Sequence, residues 1–351
     1  MVTKYPWNPH GFIDADAQHA DRTSPEDDGL DIMRGLRLIA ITAERIFMQR
    51  ATTKLRALVK AGKFLELPAV HDPLTARLAE SVGFKTIYNG GFVTGGSTTI
   101  SEPLLSMNEQ LTVGSNIANA VNIPVVMDAG AGWGEPLHTM RTVRECIRNG
   151  VAGVHIEDQL FPKRAHYHNY VAHNIPRREY RDKIKLACEQ RDRSDPDFVI
   201  IARSDACREQ GFREAVARVN LAAEVGADMG LIFPRTAQET IRAPKVCKLP
   251  LVYVQSRGNR DGRPLYSFKQ LADMGYAGCI DAILAVCVHY HYLTQAMREL
   301  KTSGDYRGMS EAQCVAARKG TEDLIGLEDY YAIERATVEH GKRATPARKK
   351  A

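Results

Sequence analysis

One pattern limits the fold of this chain more than any other: a helical stretch that ends at glycine and passes at once into a β-rich run. It occurs four times, in ESVGFKTIYNG, RNGVAGVHIED, AEVGADMGLIF and ADMGYAGCIDA, with the glycines at 83, 150, 226 and 275. Glycine takes up the left-handed conformation that stops a helix without a steric penalty. Eight β-like runs can be counted in all, near residues 69, 88, 126, 155, 200, 231, 253 and 281. They are short and mostly apolar, as strands covered on both faces are, and the segments between them are long enough for helices. Eight βα units in about 250 residues predict a closed parallel (β/α)8 TIM barrel, an α/β fold. An open doubly wound sheet is the competing arrangement. Its first strand leads into a Gly-rich phosphate loop, and PAVHDPLTARL contains none.

The flanks carry more than a barrel needs. Residues 1–31, rich in Asp, His and Pro, read as an N-terminal extension, and 32–61 have helical periodicity. The barrel domain, with that leading helix, is expected over 32–300, and a helical C-terminal segment over 301–340. That surplus of helix suggests packing against another subunit. Residues 341–351 form a basic tail expected to be disordered. The tail supplies part of the formal charge of +5, so the body is near neutral. With no stripe of basic and aromatic residues, a nucleic-acid partner is not expected. The seven cysteines are odd in number, irregularly spaced and without a CxxC, which argues against a disulfide framework or a zinc site and for a reducing compartment. No apolar run approaches the length of a membrane span, and the first residues are polar and acidic. A cytoplasmic protein without a membrane partner is expected.

In a barrel of this kind the reaction site lies where the strands end. The predicted strands deliver polar groups there: His71 and Asp72; Asn89, Gly90 and Gly91; Asp128; Glu157 and Asp158; Arg203, Ser204 and Asp205; Gln255, Ser256 and Arg257; and Asp281. Asp128 and Glu157 are hard oxygen donors of the kind that hold Mg2+ partly through water. The glycines expose N–H groups that could cradle a carboxylate. Arg203 can grip a carboxylate through two bonds, and Lys163 and Arg164 add positive charge from the loop EDQLFPKRAHYH. The bland alternatives are ion pairs and loop caps for the acids, a pairing of Arg203 with Asp205, and a plain turn at Gly90-Gly91. The substrate class expected is a small, multiply anionic carboxylate reacting through an enolate.

The order YNGG, VVMDAGAGWG, AGVHIEDQ with its following Lys-Arg, and DFVIIARSDA resembles the isocitrate lyase and phosphoenolpyruvate mutase superfamily, in particular its 2-methylisocitrate lyase-like branch, over about residues 52–300. The resemblance implies a (β/α)8 barrel, an Mg2+ (or Mn2+) cofactor, an enolate intermediate, and a homotetramer, a dimer of dimers with a swapped C-terminal helix. It implies metal-site acids at Asp128, Glu157 and Glu102, carboxylate binding by Asn89, Gly90, Gly91 and Arg203, and a mobile loop beginning at Lys163 and Arg164. The chain also departs from the pattern. Ala165 stands where the lyases have their proton-donating cysteine, leaving His166, Tyr167 or His168 as replacement acids. Gly130 replaces a second acid, and Val254 and Arg257 stand where the lyases have Asn and Glu, so that Arg257 would meet an additional anionic group. Three functions stay open on this reading: an Mg-dependent carbon–carbon lyase or decarboxylase acting on a 2-hydroxy or 2-oxo di- or tricarboxylate, a phosphonopyruvate-type mutase or hydrolase, and a non-catalytic family member.

Overall fold

The computed structural model describes residues 49–164, 173–259 and 262–339. Their strands form one eight-stranded parallel sheet in the order β1-β8-β7-β6-β5-β4-β3-β2. These are β1 Leu65–Pro68, β2 Ile87–Asn89, β3 Val125–Asp128, β4 Gly153–Glu157, β5 Val199–Ser204, β6 Met229–Ile232, β7 Leu251–Gln255 and β8 Gly278–Asp281. The first strand begins earlier than its expected position near residue 69. It pairs with β8 through Pro68 and then changes partner: Ala69 N–H donates to Asp281 O at 2.9 Å, Val70 N–H to Tyr88 O at 2.8 Å. A parallel bridge between Ala69 and Tyr88 closes the ring to β2.

Helix α1 (Ala51–Lys60) precedes the ring, within the predicted helical stretch 32–61; residues 32–48 lie outside the described residues. Its Leu55 is fully buried among inward-facing apolar residues of the strands, including Leu67, Val126, Ile201, Leu231 and Val252. Arg56 fixes the helix there, bonding Asp228 and donating to Phe198 O at 2.6 Å. The barrel interior is thus packed at its N-terminal end and leaves only the opposite mouth for a ligand.

The outer helices α2 (Pro73–Ser81), α3 (Gly91–Thr98), α4 (Met107–Ala120), α5 (Pro136–Arg148), α6 (Arg177–Ser194), α7 (Phe212–Glu224), α8 (Ala237–Val246) and α9 (Phe268–Asp273) follow their strands in turn. The four joint glycines do what their pattern predicts. Gly83, Gly150, Gly226 and Gly275 follow α2, α5, α7 and α9 at φ between +80° and +102°. Asp72 proves to be a helix cap: its Oδ1 accepts from Thr75 N–H at 2.7 Å, with Pro73 in the first turn. After the ring come α10 (Leu284–Ser303), α11 (Glu311–Leu324) and α12 (Leu327–Thr337), none of which buries a single residue. None of the described helices is long and apolar enough to cross a membrane.

Candidate active site

Strand register assembles the floor of the site. Asp128 ends β3 opposite His155 of β4, and Glu157 ends β4 opposite Arg203 of β5. Arg203 lies across the acids: Nη2 is 3.1 Å from Glu157 Oε2, Nη1 is 4.0 Å from Asp128 Oδ2, and Nε is 3.0 Å from Asp205 Oδ1. Lys163 enters from the loop after β4, with Nζ 2.5 Å from Glu102 Oε1 and 3.1 Å from Glu157 Oε1. Two cations therefore interleave with four carboxylates, all at most a tenth exposed in their side chains.

Burial and charge oppose each other in this cluster. Burial works against ionisation of Asp128, but His155, Arg203, Lys163 and the Gly130 N–H at 2.8 Å hold its carboxyl well below the usual range. For Glu157 burial wins, and the carboxyl is pushed up to about 7 despite Lys163 and Arg203. Asp205 is raised by burial, yet its bonds to Arg203 bring it below the ordinary value. Burial lowers His155 to about 4, so its ring is neutral at neutral pH. Tyr88 lies 2.5 Å from His155 Nε2 through its hydroxyl and stacks on the ring at 5.5 Å between centroids. With the hydroxyl donating to Nε2, the ring proton sits on Nδ1, facing Asp128 Oδ1 at 3.6 Å.

A cavity of about 400 Å³ opens above this floor. Gly90 and Gly91 line it at the start of α3, where a side chain has no room: a Cβ would lie 2.8 Å from Tyr88 Cε1 at Gly90 and 2.8 Å from Glu102 Cγ at Gly91. The Gly91 N–H is already committed to Asp128 Oδ2 at 3.2 Å. Asn89, expected to bind a carboxylate together with the two glycines, turns its side chain into the core. Its amide donates to Val70 O and Thr94 Oγ1 and accepts from Gln110 Nε2 at 2.8 Å. A fully buried amide must satisfy its bonds in place.

Arg257, expected to meet an additional anionic group, lies apart from the cavity. It stands exposed in the turn after β7 and is absent from the cavity lining, whereas Arg208, Arg235 and Arg263 are present. Arg164 is exposed and lies outside the lining. Ala165, His166, Tyr167 and His168 lie outside the described residues. Asp158 holds the scaffold together: it accepts from Asn174 Nδ2 at 2.6 Å, Ser204 Oγ at 2.6 Å, Asp205 N–H at 2.9 Å and Arg218 at 3.3 Å. His71 packs away from the cavity, its Nε2 3.1 Å from His289 Nδ1.

Sequence reasoning missed Tyr88, His155, Phe233, Arg235 and Arg263, which all line the cavity. Two were within reach of it. His155 is two residues before Glu157 on the same strand face, and Arg235 follows the sixth strand, whose end contributed no candidate.

The chemistry of the acids, though not a ready-made cluster of them, is of the kind that a divalent cation such as Mg2+ accepts. Asp128, Glu157 and Glu102 offer hard oxygens. Glu157 Oε1 is buried and, although near Lys163, receives no aligned hydrogen bond. Among the described residues no three His, Cys, Asp or Glu side chains are grouped so as to hold a metal ion by themselves. Such an ion would therefore complete its shell with water and ligand oxygens, as Mg2+ does.

Fold and site together define a (β/α)8 barrel enzyme with an acid-and-arginine centre at the strand ends. The family model for phosphoenolpyruvate phosphomutase matches residues 55–301. A 2-methylisocitrate lyase of Aeropyrum pernix is 30% identical over 287 residues, 81% of this chain and 90% of its own length. Among solved structures, oxaloacetate acetylhydrolase in complex with the inhibitor 3,3-difluorooxalacetate superposes with a TM-score of 0.75 at 28% identity, covering 82% of this chain and 96% of that one. Phosphonopyruvate hydrolase in complex with oxalate and Mg2+ gives 0.72 at 28% identity, covering 83% and 100%. The chain belongs to the phosphoenolpyruvate mutase and isocitrate lyase superfamily, and its enzyme class is carbon–carbon lyase.

Proposed function

We propose that this enzyme cleaves a carbon–carbon bond next to a carboxylate in a small 2-hydroxy or 2-oxo di- or tricarboxylate, with an enolate as the departing fragment and Mg2+ as cofactor. The observation that carries this reading is the position of Arg203, which reaches Glu157 at 3.1 Å and Asp128 at 4.0 Å beneath the cavity. Asp128, Glu157 and Glu102 would hold the cation, which supplies Lewis-acid stabilisation of the enolate oxygen. Arg203 binds the substrate carboxylate and keeps its charge next to the reacting centre. Lys163 balances Glu102 and Glu157, so that the floor does not repel an incoming anion. Gly90 and Gly91 keep that end of the cavity open by lacking side chains. With alanine at 165, a proton for the leaving enolate has to come from another group, and His166, Tyr167 and His168 are the residues in the same segment able to give one.

The relatives named above act on, or are bound to, small carboxylates by their descriptions, which supports the substrate class. The quaternary form proposed is a homotetramer, a dimer of dimers. Its support is the apolar surface on the last three helices, where Tyr290, Met297, Val315, Tyr330 and Ile333 are all more than half exposed in the single chain. Titration calorimetry with Mg2+ and oxalate, a mimic of the enolate, tests the site, and turnover of a panel of 2-hydroxy and 2-oxo diacids tests the reaction. The absence of both oxalate binding and turnover would overturn this proposal.

A further inference from the structure

Three arginines on the far wall of the cavity have no part in the chemistry proposed above. Arg208 follows β5, Arg235 follows β6 and Arg263 belongs to the loop after β7, and all three line the same space as Asp128 and Arg203. They face it from consecutive loops of the ring, away from the acids contributed by the β3 and β4 side. The ring of Phe233 joins floor to wall. The guanidinium carbon of Arg203 lies 5.0 Å from its centroid and that of Arg263 lies 4.7 Å from it, so the two cations are within about 10 Å of each other.

Both Arg235 and Arg263 project from a fixed backbone. The Arg235 N–H donates to Glu239 Oε2 at 2.7 Å, which anchors it to the first turn of α8. Arg263 and Asn259 are cross-tied: Arg263 N–H donates to Asn259 Oδ1 at 3.0 Å and Asn259 Nδ2 donates to Arg263 O at 3.1 Å. Arg263 Nη1 also donates to Val254 O at 3.1 Å, which aligns the guanidinium with the end of β7. A planar guanidinium set in place by such ties recognises a planar oxyanion with little loss of entropy.

We infer that Arg235 and Arg263, the latter seated over Phe233, form a second anion subsite that takes a carboxylate at the far end of the substrate. The inference rests on the enolate-lyase reading and narrows it: the substrate is a diacid or triacid long enough to reach from Asp128 and Arg203 to this pair. Oxalate is too short to span both ends, so it reports on the floor alone.

The test compares two ligands with the same 2-oxo acid head and the same five-carbon chain. One is 2-oxoglutarate, which carries a distal carboxylate; the other is 2-oxopentanoate, which lacks it. Calorimetry of the full-length protein with Mg2+ is expected to give about a tenfold or greater preference for 2-oxoglutarate. Arg235→Gln and Arg263→Gln should each erase most of that preference and keep oxalate affinity within about twofold of the parent. Arg263→Lys, which keeps the charge but not the fork, should restore only part of it. No preference in the parent, or a preference that survives both glutamine substitutions, overturns the subsite. Arginine-dependent binding of phosphonopyruvate without any of 2-oxoglutarate overturns the carboxylate assignment. Failure of oxalate itself to bind would instead bring down the enolate-lyase reading beneath it, and the inference with it.

Discussion

The floor and the far wall of the cavity both carry charge, but they are built on different plans. On the floor every charged group is clamped between opposite charges: Arg203 between Asp205, Glu157 and Asp128, and Lys163 between Glu102 and Glu157. These side chains come from strand ends or bury themselves against them. On the wall the arginines come from loops: Arg208 is exposed beside Glu209, and Arg235 and Arg263 are partly buried, with backbone ties at both and an aromatic ring beneath Arg263. A clamped floor suits the step in which charge develops, because its dipoles need not reorganise. A loop-borne wall suits the choice of substrate, since loops vary without disturbing the barrel. Removal of a floor group should therefore strand a buried charge, whereas removal of a wall group should only weaken a ligand.

The largest effect is expected just beneath the floor. Arg218→Met leaves Asp158, which has no solvent exposure, without its cation at 3.3 Å. Breaking a buried pair in this way costs about 3–5 kcal/mol. The loss should depend on pH. Burial already raises Asp158 to about 6, above its unfolded value, so its neutral form is favoured in the fold and ionisation counts against stability as pH rises past 6. The variant should accordingly melt much lower than the parent at pH 8 and show a smaller deficit at pH 5. Equal deficits at both values would mean that the pair does not brace the floor. Next in size is Asp128→Asn. The amide oxygen can still accept from the Gly130 N–H, while the Gly91 N–H loses its acceptor, so the fold should persist at a modest cost while Mg2+–oxalate affinity falls by about 100-fold or more. Unchanged affinity in calorimetry would break the contrast at its stronger end. Tyr88→Phe comes third. It leaves His155 Nε2 without the hydroxyl 2.5 Å away in a buried place, at a cost of about 1–3 kcal/mol in thermal or urea unfolding.

The same contrast explains what could be read from the chain alone. The barrel was legible because helix-Gly-strand joints recur, and the floor because acids and an arginine end apolar strands, where packing alone has no use for them. His155 was hidden by its surroundings: a histidine inside GVHIE looks like any strand interior until register sets it beside Asp128. The wall was the least legible. Arg257, Arg208, Arg235 and Arg263 are alike as letters in loop sequence, and only the course of each loop decides which points inward. The side chain of Asn89 was equally hidden: it ends a strand in the expected position but spends its hydrogen bonds on Val70, Thr94 and Gln110.

The smallest effect expected is the sharpest probe of the boundary between the two regions. Phe233 touches both, with Arg203 on one side and Arg263 on the other. Phe233→Leu keeps apolar bulk and removes the electron-rich ring face, so each cation loses about 0.5–1 kcal/mol of attraction. The two arginines differ in what else holds them. Arg203 keeps its ion pairs to Asp205 and Glu157 at 3.0 and 3.1 Å, so its position, and with it oxalate binding, should hardly change. Arg263 sits on a loop, partly buried, with its guanidinium bonded to Val254 O, so binding of 2-oxoglutarate should weaken by about two- to fivefold. If instead both ligands weaken equally, the ring serves floor and wall alike, and the division of labour drawn between them does not hold.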